Sequence, residues 1–296
     1  GQTWVRQGKA GEIPDVNLQR VSAIDAQNAW VAGGRADGYG VILRTSDGGR
    51  TWQRQGSPAE IPDAALFGVY AVDRNTAWVT GNPGIILHTT DGGLTWTLQG
   101  QGTVPAVHLE GVYASDADHA WVVGGNVPKK KYGTILRTTD GGNTWQRMPY
   151  TLKREVQDYY LIDIHGVDAD TVWASGRSLV LHTSDGGLTW VDQTPPGMGD
   201  FNGVFAVDRM TVWTVFDPAS IFRSADGGEN WDTQTIPSRL DRCMRISAVD
   251  KQSAWTVTEP GWGSKQGYVV HTADGKMWKV QNSPVKTGWS GVSFVR

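Results

Sequence analysis

The octapeptide Thr45-Ser-Asp-Gly-Gly-Arg-Thr-Trp52 is the first of six related segments in the chain. The later copies end at Trp96, Trp145, Trp190, Trp231 and, one residue shorter, Trp278. Repetition at roughly 45 residues is typical of solenoids and β-propellers. The Asp-Gly-Gly core contains residues that bond their own backbone or adopt positive φ, so each copy predicts a tight hairpin.

A second pattern precedes each of these boxes. Gly68-Val-Tyr-Ala-Val-Asp73 is followed by Ala77-Trp78-Val79, and the apolar run Ile85-Ile86-Leu87 then leads into the next box. Each unit therefore predicts four short strands, named a to d in chain order, with strand d beginning at the box tryptophan. An aspartate closes strand a in every unit: Asp25, Asp73, Asp116, Asp168, Asp208 and Asp250.

Four-stranded sheets at this spacing predict an all-β protein, a β-propeller with antiparallel blades that occupies residues 1–296 as a single domain. The six complete units span about 20–55, 68–99, 111–148, 163–193, 203–234 and 245–281. Residues 1–7 supply another strand d and residues 291–296 another strand a, without the two middle strands. We therefore expect seven blades, the last incomplete and closed by both termini, with six blades as the alternative. A chain excised from a longer polypeptide would have such an incomplete blade.

Composition points to packing as the source of stability. The chain has 38 Gly and 15 Trp, and its one cysteine, Cys243, has no partner for an internal disulfide. The sequence contains no Cys and His pairing typical of a metal site, so neither a metal nor a cofactor is expected. The net charge of -3 argues against nucleic acid as a partner. No apolar run approaches the ~20 residues of a membrane helix, so direct membrane insertion is not expected.

The box resembles the Asp-box, or BNR repeat, of sialidases, sortilin-type receptors, xyloglucan hydrolases and the photosystem II assembly and stability factors. The fuller pattern of Gly-Val-x-x-x-Asp, Ala-Trp-Val-x-Gly and Ile-Leu-Arg-Thr-Thr-Asp-Gly-Gly-x-Thr-Trp looks most like the assembly factors and their bacterial relatives. This resemblance implies a seven-bladed, non-catalytic propeller that binds partner proteins and uses its boxes as structural hairpins. It also implies an extracytoplasmic location, which is periplasmic, lumenal or secreted.

Most aromatic and histidine residues belong to the repeat. Thirteen of the tryptophans recur at equivalent positions and are predicted to pack between blades. The exceptions, Trp262 and Trp289, lie in loops and are candidates for contact with a sugar or a partner protein. One polar position on strand c holds Arg44, Arg137, Arg223, His88, His182 or His271. Its repetition predicts a structural role.

The loops between strands b and c and between strands d and a are expected on one face, where the chain is most variable. We predict that this loop-rich face binds the partner, because recognition commonly uses varied loops on a rigid scaffold. The basic and aromatic residues suit an anionic or acidic partner, although a solvated lysine loop is the alternative. The predicted partner-binding residues are Lys129, Lys130, Lys131, Tyr132, Lys153, Arg154, Tyr159, Tyr160, Arg177, Trp262 and Trp289.

A second candidate site lies where the innermost strands begin. The first position of strand a is glycine in most units but Arg20, Asp163 and Arg245 in three of them. Together with His165 and Arg242, these residues are predicted to form a central polar site.

Two functions from different classes follow. The first is a non-catalytic scaffold that docks a protein partner through the loop-rich face, as an assembly factor or as a module of a larger exported protein. The alternative is a glycan-binding or sialidase-like propeller. A sialidase needs three arginines, a tyrosine nucleophile and carboxylic acids in defined roles. Arg20 and Arg245 could supply two of the arginines, but no third is assignable, so no catalytic residue is named and the protein is not expected to be an enzyme.

Overall fold

The computed structural model describes residues 4–9, 11–34, 40–125, 133–152, 159–197, 199–234, 236–237, 242–259, 266–281 and 290–294. These residues form twenty-four strands in six four-stranded sheets. Every sheet is antiparallel and follows chain order, with strand a at one edge and strand d at the other. The predicted all-β architecture of four-stranded antiparallel blades is confirmed.

The chain divides into two compact units of three blades each. One unit is built from residues 7–149, and the other from residues 150–294 together with the N-terminal residues up to Arg6.

The strands of the 7–149 unit are β1 (Asn17–Ala23), β2 (Ala29–Gly34), β3 (Gly40–Thr45) and β4 (Gln53–Arg54) in the first blade, β5 (Ala65–Ala71), β6 (Ala77–Asn82), β7 (Ile85–Thr89) and β8 (Thr97–Leu98) in the second, and β9 (His108–Ala114), β10 (Ala120–Gly125), β11 (Thr134–Thr138) and β12 (Gln146–Arg147) in the third.

The strands of the 150–294 unit are β13 (Leu161–Gly166), β14 (Val172–Gly176), β15 (Leu179–Thr183) and β16 (Val191–Asp192) in the fourth blade, β17 (Asp200–Ala206), β18 (Val212–Asp217), β19 (Ser220–Ser224) and β20 (Asp232–Gln234) in the fifth, and β21 (Arg242–Ala248), β22 (Ala254–Glu259), β23 (Val269–Thr272) and β24 (Trp278–Gln281) in the sixth.

The boxes are hairpins held by the aspartate side chain. In the second box the Asp91 carboxylate accepts hydrogen bonds from the Thr95 amide at 3.0 Å and from the hydroxyls of Thr95 and Thr89 at 2.6 and 2.8 Å. The Gly93 amide donates to the Thr89 hydroxyl at 2.9 Å. These bonds satisfy the turn's own polar groups, which agrees with the structural role predicted for the box. Donation from Thr95 is the main cause that lowers the pKa of Asp91 to about 2.

Within each unit the blades pack through tryptophans. Trp78 of β6 is fully buried, meets Trp145 of the next box edge to face at 5.8 Å, and stacks on His88 at 3.6 Å. Where strand c carries arginine instead, the guanidinium stacks on the same tryptophan, as Arg44 does over Trp30 at 5.0 Å. The Arg44 guanidinium also donates to backbone carbonyls of the next blade. The arginine or histidine on strand c therefore packs on the strand b tryptophan, which agrees with the structural role predicted from its repetition.

The number of blades corrects the expectation of seven. The described residues form six complete sheets, and neither segment 4–9 nor segment 290–294 belongs to a strand. The C-terminal segment nevertheless lies where the next strand a would lie, because the Phe294 amide donates to Ser247 as the Ala71 amide donates to Ser22. Phe294 also stacks on Trp255 at 4.0 Å. Both terminal segments pack on the sixth blade, without the middle strands that would make a further sheet.

Candidate functional site

Four charged residues lie at one end of the three blades in the 150–294 unit. Arg177 follows β14, Asp200 begins β17, Asp217 ends β18 and Arg242 begins β21. Strand a begins and strand b ends at this end of each blade, so it corresponds to the predicted loop-rich face. We call these four residues the charge ladder.

The charge ladder consists of two ion pairs joined across one sheet. The Arg177 Nε atom lies 3.8 Å from the Asp200 carboxylate, and the Arg242 Nε atom donates to the Asp217 carboxylate at 2.9 Å. Asp200 and Asp217 are directly opposite each other in the pairing of β17 with β18. Burial raises the pKa of Asp200, Arg177 opposes that shift, and the neighbouring Asp217 charge adds to it.

Both arginines remain accessible. The side chain of Arg177 is 47% exposed and that of Arg242 is 43% exposed, whereas the two aspartates are less exposed. The ion pair of Arg177 is long, so its half-exposed guanidinium retains donors for a carboxylate of another molecule.

Aromatic side chains adjoin the ladder. The Arg177 amide donates to the Tyr160 carbonyl at 2.9 Å, which places the two predicted partner-binding residues side by side. Tyr159 meets Tyr150 edge to face at 6.1 Å, and both Tyr159 and Tyr160 are half-buried. The structure thus brings Tyr159, Tyr160 and Arg177 together near one end of the fourth blade.

The residues predicted to form a central polar site make contacts between blades. Asp163 is buried, and its carboxylate accepts from the Val204 amide at 3.1 Å. His165 stacks on Phe205 at 4.0 Å, and its Nδ1 atom accepts from the Ala206 amide at 3.2 Å.

The arginines of that prediction lie in three places. The Arg245 guanidinium donates to the carbonyls of Asn202 and Met244. Arg242 belongs to the charge ladder. Arg20 is half-buried in β1, opposite Ala32 of β2 in the 7–149 unit.

Several predicted partner-binding residues lie outside the described residues, namely Lys129, Lys130, Lys131, Tyr132, Lys153, Arg154, Trp262 and Trp289. Their role stays a prediction.

The two aspartates of the ladder were missed by the sequence analysis. They stand just outside the repeated pattern, where loop lengths vary from blade to blade. The sequence carries one signal for them: Asp200 precedes the predicted strand a of the fifth unit, and Asp217 follows its predicted strand b. A hairpin of these two strands brings both acids to the same end of the sheet.

The opposite end of each blade carries the turns between strands a and b. There the aspartate that closes strand a accepts from two following amides, as Asp208 does from Met210 and Thr211 at 2.9 and 2.7 Å. Arg209 of the same turn pairs with Asp168 of the preceding blade at 2.8 Å. These turns are tied together by structural bonds.

The described part of the chain contains no group of three or more His, Cys, Asp or Glu side chains arranged to hold a metal ion. It also forms no helix with the length and hydropathy of a membrane span. Cys243 is buried, and burial raises the pKa of its thiol to about 12.

Comparison with known proteins decides the family. The sequence profile described as photosynthesis system II assembly factor YCF48 matches residues 9–102 and 101–235, which together make up more than half of the chain. The chain belongs to this family.

Two plant proteins resemble part of the chain. The chloroplastic photosystem II stability/assembly factor HCF136 of Arabidopsis thaliana is 32% identical over 133 residues, which are 40% of this chain and 32% of that protein. The rice protein of the same name is 28% identical over 134 residues. The matched region therefore spans about a third of these relatives.

Solved structures with low sequence identity share the fold. YCF48 bound to a D1 peptide superposes with a TM-score of 0.66 at 20% identity, covering 90% of this chain and 82% of that one. A streptogramin B lyase gives 0.73 at 18% identity, covering 95% and 88%. A xyloglucanase from Xanthomonas campestris gives 0.66 at 13% identity, covering 90% and 47%. Since assembly factors and enzymes share this fold, fold alone does not assign an activity.

Proposed function

We propose that this member of the YCF48 family is a non-catalytic scaffold that docks a segment of a partner protein on its loop-rich face. The charge ladder carries the proposal, because it places two half-exposed arginines on one face of three consecutive blades. Support also comes from the relatives, which are named as assembly factors, and from YCF48, which has been solved with a D1 peptide.

The ladder suits an extended segment that carries carboxylates. Arg177 is held by Asp200 at 3.8 Å, a distance longer than a direct hydrogen bond, so an incoming carboxylate can take a bidentate position on its guanidinium. Tyr159 and Tyr160 offer aromatic surface beside it, and such side chains are enriched where proteins bind each other. Asp200 and Asp217 orient the two arginines in the absence of a partner.

Other parts of the proposal rest on sequence and family. The lysines of segment 129–131, with Lys153 and Arg154, are proposed to extend the basic character of the loop-rich face. An extracytoplasmic compartment is proposed from the family resemblance, and fractionation of cells with an antibody against the protein tests it.

Charge reversal tests the docking face. Arg177→Glu and Arg242→Glu should each weaken binding of a D1 peptide, measured by isothermal titration calorimetry, by roughly tenfold. Arg209→Glu is the matched control, because Arg209 also pairs with an aspartate but lies at the opposite end of the blade. The proposal is wrong if all three variants bind as the unmodified protein does, or if Arg209→Glu weakens binding as much as the other two.

A further inference from the structure

In four of the blades an aliphatic side chain packs with the tryptophan of the box. It comes from the loop that leads into strand a of the same blade, and it packs in one apolar cluster with that tryptophan. The pairs are Ile13 with Trp52, Ile61 with Trp96, Val104 with Trp145 and Ile236 with Trp278. In the second blade the same loop also provides Glu60, whose carboxylate accepts from the Trp96 amide at 3.3 Å.

The fifth blade departs from this arrangement. Its loop spans only residues 193–199, and the described residues of that loop bring no branched aliphatic side chain to Trp231. Trp231 is half-buried, as is Trp52, whereas Trp96, Trp145 and Trp278 are 3–5% exposed. Its indole nitrogen donates to the Gln193 carbonyl at 2.8 Å.

A groove of about 710 Å³ opens beside Trp231, between β16 and the fifth box. We call it the rim groove, since it lies along the outer strands of the fourth and fifth blades. Its apolar surface comes from Val191, Pro196 and the indole ring. In the first, second, third and sixth blades a loop side chain packs with the box tryptophan instead.

The rim groove is acidic. Asp192, Glu229 and Asp232 line it, and its described lining residues include no Lys, Arg or His. Asp192 is buried and accepts from the Thr194 amide at 3.0 Å, while Glu229 and Asp232 are exposed. Arg223 lies opposite Asp232 in the strand pairing, but its guanidinium is stacked over Trp213. In the second box the residue in place of Glu229 is Leu94.

We infer that the rim groove is a second docking site, for a protein segment in which an aliphatic residue adjoins a lysine or arginine. The aliphatic side chain would cover Trp231 as Ile61 covers Trp96. The basic side chain would face Glu229 and Asp232 and gain from the indole ring as a cation–π partner. In the loop of the second blade the residue before Ile61 is a glutamate, Glu60. In the rim groove Glu229 and Asp232 would repel a glutamate at that position, so a lysine or arginine is favoured.

The chain's own loop supplies the probe. A capped synthetic peptide with the sequence of residues 56–63 and the change Glu60→Lys is titrated into the protein, and the indole signal of Trp231 is followed by NMR. Trp231→Phe assigns that signal through its loss. We expect saturable binding at roughly millimolar concentration or below, and about tenfold weaker binding of the unchanged peptide. A third peptide, in which Ile61→Ala accompanies Glu60→Lys, should also bind more weakly.

A matched pair of protein variants completes the test. Glu229→Lys should weaken binding of the lysine peptide by about tenfold, whereas Asp170→Lys, an equal change of charge in an exposed turn, should leave it unchanged. The inference is overturned if the lysine peptide does not bind at millimolar concentration, if the three peptides bind alike, or if the two protein variants bind alike. The D1-peptide titration concerns the other face of the blades, so either site can fail independently.

Discussion

At the scale of the residue, one position on strand c accepts either arginine or histidine, and the two side chains interact differently with the tryptophan of strand b. Arginine stacks over the tryptophan as a cation, while histidine stacks on it as a neutral ring. Burial is the main cause that lowers the pKa of His88 and His182 from 6.5 to about 4. The sequence predicts a structural role for this position because it recurs in every unit. That a histidine at this position is uncharged depends on its burial, which only the structure shows.

These histidines make stability depend on pH. Between about pH 6.5 and 4 the unfolded chain binds protons at His88 and His182 and the folded chain does not, so the free energy of unfolding should decrease as the pH falls through this range. The variant His182→Phe, which keeps a ring on Trp173, should show a shallower decrease. Urea unfolding from pH 7 to 4.5 measures both slopes, and equal slopes would show that His182 does not contribute.

The sequence predicts only part of the charge ladder and its surroundings. It predicts Arg177, Tyr159 and Tyr160 because variable loops on one face can be inferred from strand order. It does not predict Asp200 and Asp217, since their pairing depends on which residues stand opposite each other at the end of a sheet. The bulge in strand a sets that register. The residue at the bulge differs in type from blade to blade, so the sequence pattern does not reveal it.

At the scale of the element, strand a carries the main irregularity of the fold. In each blade the register shifts at the residue before the first repeated position. The residues bypassed by the shift are Gln19, Phe67, Glu110, Ile162, Asn202 and Met244. Glycine follows in three of these blades, and at Gly68 and Gly203 the next inner strand passes close to it. A Cβ atom at Gly68 would clash with the Thr80 hydroxyl and lie 2.7 Å from the Glu110 carbonyl.

That close approach predicts the cost of a small substitution. Gly68→Ala should lower the free energy of unfolding by about 1–3 kcal/mol, because the added methyl group forces the inner strands apart. Gly102→Ala is the control, since no atom lies within 4 Å of the place that its methyl group would take and only its positive φ opposes the change, at about 1 kcal/mol. Chemical denaturation compares the two, and a smaller loss for Gly68→Ala would contradict the packing argument.

At the scale of the whole molecule, the count of blades was the main error. The repeats predicted six units correctly, and the C-terminal fragment lies where the next strand a would lie. The seventh sheet was expected because propellers often close by pairing their ends, yet a sheet needs the middle strands that the fragments lack. Within the 150–294 unit these fragments instead pack on the sixth blade, where Trp4 meets Phe294 edge to face at 5.9 Å.

The terminal packing predicts that the last residues stabilise the sixth blade. Phe294→Ala should cost about 2 kcal/mol, because the ring stacks on Trp255 and contacts Trp4 while remaining half-buried. Val5→Ala, at a side chain that is 70% exposed, should change stability by less than about 0.5 kcal/mol. Thermal unfolding of both variants measures the difference, and equal midpoints would show that the terminal contact carries no stability.

The central claim is that the boxes hold the blades together while the opposite ends of the blades recognise a partner. Hydrogen–deuterium exchange with and without a saturating D1 peptide tests it directly. We expect added protection in segments 159–163, 176–179, 199–202 and 216–220 and around Arg242, with no change in the box segments 183–190 and 224–231. Protection that appears in the boxes and not at the charge ladder would contradict the account.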